Sequence, residues 1–300
     1  MNITENSKPL VSVIVNCHNG EAFLQNCISS IINQTYSNWE VIFWDNLSSD
    51  KSKEILLNFS DQRIKYFYSD KFTTLYEARN LALKKASGEF ITFLDVDDWW
   101  SPFRLEKQIK IFLDKKNLDI VYSNHYIFYD DKKTKKIIPK DQLPSGKITQ
   151  KLLDSYKIGG ILTALLKKQI FKKRIFDKRY EIIGDFDFFI NISLNSYFQS
   201  IEEPLAYYRI HKSSTSSKKI NLQIKELNNW LEENKNSIKF KGYQFDGVIF
   251  TLQCLKIKKS LLDGKRLEAL LEIVKFPFKI QKLKFLVFLF IPINGFFKTL

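Results

Sequence analysis

The sequence predicts an α/β domain built on a mainly parallel sheet, and three observations predict it. Short runs rich in β-branched and aromatic residues alternate with segments of helical periodicity, the mark of βαβ units. Three of those runs end in polar clusters: Asn16-Cys17-His18-Asn19, Asp45-Asn46 and Asp95-Val96-Asp97-Asp98. The third run, Phe90 to Leu94, is apolar but for Thr92 until it reaches its three carboxylates. Acidic residues are depleted in strands and seldom fully buried unless paired, so such a cluster belongs where a strand surfaces. Open α/β sheets hold their ligands at that carboxyl edge.

The elements follow in order. Leu10 to Val15 is a continuous run of strand type. From Glu21 to Ile32 the residues Phe23, Leu24, Cys27, Ile28, Ile31 and Ile32 recur at helical spacing. Val41 to Trp44 is a second strand and Asp50 to Phe59 a second helix. Ile64 to Tyr68 is a third strand, and Leu75 to Ala86 a third helix leading into the acid-tipped strand. Asp-x-Asp at a strand end can give a hard divalent cation oxygen ligands while diphosphate oxygens complete its shell. On the tripeptide alone, an acidic turn capping the next helix explains as much. Three polar strand ends on one edge favour a site.

The segments Val11 to Asn19 and Ile31 to Asp50 resemble the start of a family 2 glycosyltransferase. So do Ala78-Arg79-Asn80, Gly88-Glu89-Phe90, Leu94 to Asp98 and Trp100 to Gln108. The resemblance is strong from about Pro9 to Gln108 and traceable to about Ser216. Each piece alone is weak, but together, in the family's order and spacing, they are specific. It implies a GT-A fold, a Rossmann-like mixed sheet flanked by helices, over residues 1–216. A nucleotide-sugar half would cover about 9–124 and an acceptor half about 125–216. By position, Asp45 would hydrogen-bond the uracil of a UDP-sugar, in a nucleotide site that includes Asn16, His18 and Asn19. Arg79 would lie close to the base or diphosphate, Asp95 would contact the ribose or the metal shell, and Asp97 would ligate Mn²⁺ or Mg²⁺. A divalent cation suits this chemistry because it neutralises the charge growing on a diphosphate leaving group.

The second half must supply a base. Inverting transfer is a single displacement in which an acceptor hydroxyl attacks opposite the diphosphate and loses its proton to a carboxylate. Ile182 to Ser193 resembles the family segment in which an acidic pair opens a helix, and Asp185 matches the base. Gly184 replaces the preceding acid of the pair, so Asp187 is the alternative. Asp185 as a plain helix cap before Phe186 to Leu194 is the structural reading. Tyr207-Tyr-Arg-Ile-His211 resembles an element that folds over the diphosphate. It makes His211 a metal ligand or phosphate contact, and gives Arg209 and the Ser213 to Ser216 run phosphate or lid roles.

The chain departs from the family pattern at two points. Asn16 stands where the first strand commonly ends in proline. Asp45-Asn46-Leu47-Ser48 replaces Asp-Asp-Gly-Ser, and Leu47 cannot take a positive φ cheaply, so the loop is expected to run differently. The Gln-x-x-Arg-Trp signature of processive synthases is absent, which favours adding one sugar or a few.

Composition fits an enzyme at a membrane surface. Three scattered cysteines and a polar segment from Met1 to Lys8 suit the cytoplasm. The net charge of +14 is concentrated late, where Lys256, Lys258, Lys259, Lys265, Arg266, Lys275, Lys279, Lys282 and Lys284 crowd together. Phe276, Phe278, Phe285, Phe288, Phe290, Phe296 and Phe297 interleave with the last of these. The apolar run Phe285 to Ile293 is far shorter than the ~20 residues needed to span a bilayer. Residues 217–300 therefore read as a helical, basic-aromatic appendage lying on the anionic inner face of the cell membrane, near a glycan or lipid-linked acceptor. A helix packed on the catalytic domain is the alternative. No nucleic-acid signature accompanies the charge. Two rival functions remain: a catalytically inactive GT-A scaffold, and a nucleotidyltransferase, which would need a glycine-rich, lysine-bearing loop where Asn16 to Glu21 stands.

Overall fold

The run beginning at Leu10 forms β1 (Val11–Cys17) in a computed structural model that describes residues 8–137, 142–211 and 219–275. The other predicted elements follow as α1 (Glu21–Ile32), β2 (Trp39–Asp45), α2 (Ser52–Leu57), β3 (Ile64–Tyr68), α3 (Leu75–Leu83) and β4 (Phe90–Asp95). The second helix starts two residues later than predicted because Asp50 is spent as an acceptor. Its carboxylate takes the backbone N–H of Glu21 at 2.9 Å and of Ser52 at 3.0 Å.

After β4 come β5 (Trp99–Trp100), α4 (Arg104–Asp114), β6 (Ile120–Tyr129), β7 (Thr134–Ile137) and α5 (Thr149–Asp154). Then follow β8 (Ala164–Lys167), α6 (Ile170–Lys173), α7 (Gly184–Ser193) and β9 (Phe198–Ile210). The sheet order is β3-β2-β1-β4-β8-β6-β9-β5, with β7 beside β6. Strands β3, β2, β1 and β4 are mutually parallel, whereas β8 runs antiparallel to both β4 and β6. The chain winds from β1 toward β3 and then returns to place β4 on the other side of β1. That reversal opens the crevice in which open α/β sheets bind ligands. Asn16 and Asp95 are register partners at its rim.

Burial holds this edge in place. Strand β2 is buried along its whole length, as a parallel strand covered on both faces should be. On one face Val11, Val13, Val15 and Cys17 join Leu24, Cys27, Ile28 and Ile31 of α1 in a single apolar cluster. The other face is aromatic: Phe176 meets Phe93 at 5.4 Å and Phe188 at 4.5 Å. Each such fully buried side chain contributes about 1.5–3 kcal/mol. The helix after the acidic motif is stitched down by polar side chains. Trp100 Nε1 donates to the Leu162 carbonyl at 2.9 Å, and Gln108 Nε2 donates to the Thr163 carbonyl at 2.8 Å. Arg104 stacks 3.9 Å from the Trp100 ring and donates to Thr92 Oγ1.

The chain divides into two compact units. The sheet and its helices form the first. The second is helical, with Ile220–Asn234, Asp246–Leu262 and Arg266–Lys275 as its helices, and Trp230, Phe240 and Phe245 meeting in its interior. None of the helices among the described residues is long and apolar enough to cross a membrane. The Phe/Lys-rich segment 276–300 and Ser213 to Ser216 lie outside the described residues.

Candidate active site

Five of the residues singled out by sequence converge at the carboxyl edge of the sheet. Asp95 ends β4, and Arg79 reaches it from α3 with Nη2 at 2.8 and 2.9 Å from its two oxygens. Nη1 of the same guanidinium lies 2.6 Å from Asp185 Oδ1. Asp97 follows β4, and His211, just beyond β9, sets Nε2 3.0 Å from its Oδ2. The carboxylates of Asp95, Asp97 and Asp185 keep side-chain exposures of 34%, 30% and 23%, so each still faces solvent.

Arg79, expected close to the base or diphosphate, is 1% exposed and ringed by Tyr76, Phe93 and Phe176 within 6 Å. Its position in α3 points it behind the carboxylates, where it joins Asp95 to Asp185, the latter 106 residues along the chain from Arg79 itself. Burial pulls its basicity down, but Asp185 and Asp95 outweigh that, and the guanidinium stays charged. Burial raises the pKa of Asp185, Arg79 opposes the rise, and the charge of Asp95 adds to it. Asp185 lies in the first turn of α7 rather than capping it, since the helix begins at Gly184. The alternative base, Asp187, is 3% exposed, and its Oδ2 takes a 2.6 Å hydrogen bond from Arg174 Nη2.

Arg209 is held by protein groups beside Asp97. Its guanidinium lies 4.5 Å from the Trp99 ring, donates through Nε to the Asp97 carbonyl at 2.7 Å and pairs with Asp130 at 3.0 Å. Its backbone N–H donates to Asp98, which is buried. The sequence argument passed over Asp98 as a structural residue, and nothing in a run of three aspartates distinguishes which one turns inward. Burial raises the pKa of Asp97, the Asp95 charge raises it further, and the His211 hydrogen bond opposes both.

The nucleotide-side residues form a clasp between the β1 and β2 loops. Asp45 is 1% exposed, with Oδ1 accepting the Ser48 N–H and Oδ2 accepting the Tyr66 hydroxyl, both at 2.8 Å. Asn19, at φ 55°, accepts the Ser49 N–H, and its own N–H donates to Ser48 Oγ. The exposed His18 donates through Nδ1 to the Asn46 carbonyl at 2.9 Å. Asn16 is 8% exposed between Trp44 and Asp95, and its Nδ2 has no hydrogen-bond partner among the described residues. The missing glycine does not keep the backbone at position 47 out of the positive-φ region. Leu47 takes φ 65° itself, a left-handed conformation costing about 1–2 kcal/mol for a residue with a Cβ.

The residues also fit a divalent cation. Mn²⁺ or Mg²⁺ could be held by Asp97 and His211, whose ligand atoms already lie together. Asp95 is committed to Arg79, and no three His, Cys, Asp or Glu side chains gather as a ligand set among the described residues. One or two protein ligands completed by phosphate oxygens and water is the ordinary arrangement for Mg²⁺.

Comparison with known proteins gives the family and the fold. The family described as "Glycosyl transferase family 2" matches residues 12–179. The UDP-Glc:alpha-D-GlcNAc-diphosphoundecaprenol beta-1,3-glucosyltransferase WfgD of Escherichia coli is 35% identical over 212 residues, 70% of this chain and 81% of that one. The putative teichuronic acid biosynthesis glycosyltransferase TuaG of Bacillus subtilis is 36% identical over 112 residues, 37% of this chain and 44% of its own. Among solved structures, the mannosyltransferase PcManGT from Pyrobaculum calidifontis, in complex with GDP-Man and Mn²⁺, superposes with a TM-score of 0.62. It covers 93% of this chain and 79% of that one at 16% identity. S. aureus TarS 1-349 in complex with UDP-GlcNAc gives 0.58 over 87% and 88%, at 15% identity. At those identities the structures share the fold.

Proposed function

Because the chain belongs to glycosyltransferase family 2 and has the GT-A fold, we propose that it is an inverting, metal-dependent hexosyltransferase. It would use a UDP-sugar and a lipid-linked glycan acceptor in the synthesis of a cell-surface polysaccharide. The observation that carries this reading is the convergence of Asp95, Asp97, Asp185 and His211 at the crevice between β1 and β4, with Arg79 tying the first and third together. The likeness to WfgD supports the UDP donor and the diphosphate-lipid acceptor. Residues 1–216 would be the catalytic domain, and 217–300 would rest on the anionic inner face of the membrane.

The chemistry follows from the placement. A bound divalent cation, held by Asp97 and His211, would supply charge neutralisation to the diphosphate. Asp45, Asn16, His18 and Asn19 shape the nucleotide side. Asp185, kept basic by burial, takes the proton of the acceptor hydroxyl as its oxygen bonds to the anomeric carbon. The bond from that carbon to the diphosphate breaks in the same step, and the nucleoside diphosphate leaves with the electron pair. Arg79 holds Asp185 and Asp95 at a fixed separation throughout.

The test is nucleotide release from a panel of UDP-, GDP- and dTDP-sugars, with Mn²⁺, Mg²⁺ or EDTA, and with α-GlcNAc-diphosphate lipid analogues as acceptors. Metal-dependent release from one donor, accelerated by acceptor, is expected. Failure of any donor to bind would replace this reading with that of an inactive scaffold.

A further inference from the structure

The residues above account for the donor side and the base, and leave the acceptor's own contacts unassigned. One side chain beside the base has an unspent polar atom. Tyr156 follows α5, and its ring stands edge-on to Phe186, the chain neighbour of Asp185, at 5.4 Å. Its hydroxyl oxygen is buried and has no hydrogen-bond partner among the described residues. That hydroxyl also feels the charges of Asp185 and Arg79. A buried hydroxyl left unpaired costs on the order of 1–3 kcal/mol and calls for an explanation. Tyr76 is the contrast. It borders the same carboxylate, but its hydroxyl donates to the Ile182 carbonyl at 3.1 Å.

The loop that Tyr156 opens has a second unspent group on its flank. Gly159 and Gly160 hold φ of 74° and 83°, the left-handed region that favours glycine. A Cβ on Gly159 would come within 2.6 Å of Nδ1 of His125. His125 is buried, its pKa is pushed down to about 4 by that burial, and its Nδ1 has no partner among the described residues. Two uncharged polar groups therefore border one loop on the base's side of the site. Phosphate recognition calls for cations or clustered backbone N–H groups. Neutral phenol and imidazole atoms suit the hydroxyls of a sugar.

We propose that Tyr156 is an acceptor-binding residue, its hydroxyl hydrogen-bonding a hydroxyl of the acceptor's terminal sugar beside the one that Asp185 deprotonates. His125 forms the opposite polar contact, and residues 156–160 form the wall between them. The proposal rests on the reading of Asp185 as the base, and it names the acceptor's class: an uncharged sugar presenting free hydroxyls.

Tyr156→Phe tests it, with UDP titration by calorimetry, thermal unfolding, and transfer to α-GlcNAc-, α-GalNAc- and α-Glc-diphosphate phenoxyundecyl acceptors. The expected result is an unchanged or raised Tm, unchanged UDP affinity, and an acceptor KM raised about five- to tenfold, the worth of one hydrogen bond, with kcat little altered. A lowered Tm would show that the hydroxyl is already satisfied in the resting protein, and would overturn the proposal. An unchanged acceptor KM with intact donor turnover would overturn it alone. A wild type that binds UDP yet transfers to no acceptor would overturn the base assignment and this inference with it.

Discussion

The guanidinium of Arg79 grips Asp95 and Asp185 at the same time, at 2.8 and 2.6 Å, and so ties the end of β4 to the first turn of α7. Arg79→Gln removes the positive charge that bridges them. Breaking a buried pair from one side costs about 3–5 kcal/mol. Because both carboxylates are partly exposed, a loss of about 2–4 kcal/mol in urea unfolding at neutral pH is expected. The loss should shrink as pH falls, since protonated carboxyls no longer need the cation. Arg79→Lys keeps the charge but not the two-armed reach, and should fall in between.

With Asp185 as the proposed base, the acid limb of the pH–rate profile is expected to report it. A base must be ionised, and burial raises its pKa above the ordinary carboxylate value, so activity is lost as pH falls through that raised value. The limb in kcat/KM for the acceptor should therefore lie higher than for an exposed aspartate. Arg79 lowers the pKa, so Arg79→Gln should move the limb further up. A limb at the unperturbed carboxylate position would remove Asp185 from the role. Asp185→Asn should keep UDP affinity while cutting transfer by about 10²–10⁴-fold.

Asp97 and His211 make a separable prediction. Asp97→Ala should abolish metal-dependent nucleotide release while leaving the far-UV spectrum and Tm near wild type. His211→Ala removes one of two ligands and should raise the Mn²⁺ concentration needed for half-maximal release by about 10–100-fold, the range found when a metal site is weakened at its support. Equal release with EDTA and Mn²⁺ in the wild type would exclude both assignments.

Leu47 allows a test of backbone strain. At φ 65° its Cβ costs about 1–2 kcal/mol, which glycine would not incur, although glycine gains freedom in the unfolded chain. Leu47→Gly should leave stability within about 1 kcal/mol of wild type. Leu47→Val, β-branched at a positive φ, should lose more than Leu47→Gly does. The reverse order in urea midpoints would show that the Leu47 side chain, and not the loop's backbone, is what the position requires.

The strand and helix order was legible because it rests on local signals: β-branched runs, helical spacing and polar strand ends. Asp95, Asp97 and Asp185 stood out in the sequence because each lies in a motif that carries its own chemistry. The protein partners of Arg79 and Arg209 were not legible, because an arginine's partners are set by tertiary neighbours. Phe93, Phe176 and Tyr76 bury one, and Trp99 and Asp130 hold the other. The positive φ of Leu47 was hidden for the opposite reason. The propensity argument was sound, but the Asp45, Ser48 and Asn19 hydrogen bonds over-determine the turn and override it. Tyr156 gave no sequence signal, because an unpaired hydroxyl is a property of its surroundings.

The late basic charge makes the last prediction. In the helix Arg266–Lys275, Leu267, Leu271 and Val274 are 72%, 54% and 63% exposed at spacings that share one helix face. Lys265 and Arg266 stand at its start, and the Lys- and Phe-rich run 276–300 follows it in sequence. Each basic residue near an anionic leaflet contributes about 1 kcal/mol, and the apolar face adds burial at the acyl boundary. Removing residues 274–300 should therefore release the protein from phosphatidylglycerol vesicles in a sedimentation assay, and raised salt should weaken binding of the intact chain. Leu267→Glu with Leu271→Glu should weaken it further without lowering Tm, since both residues are exposed. If that double variant unfolds while the deletion still sediments, the helix face packs within the protein and the charge serves another partner.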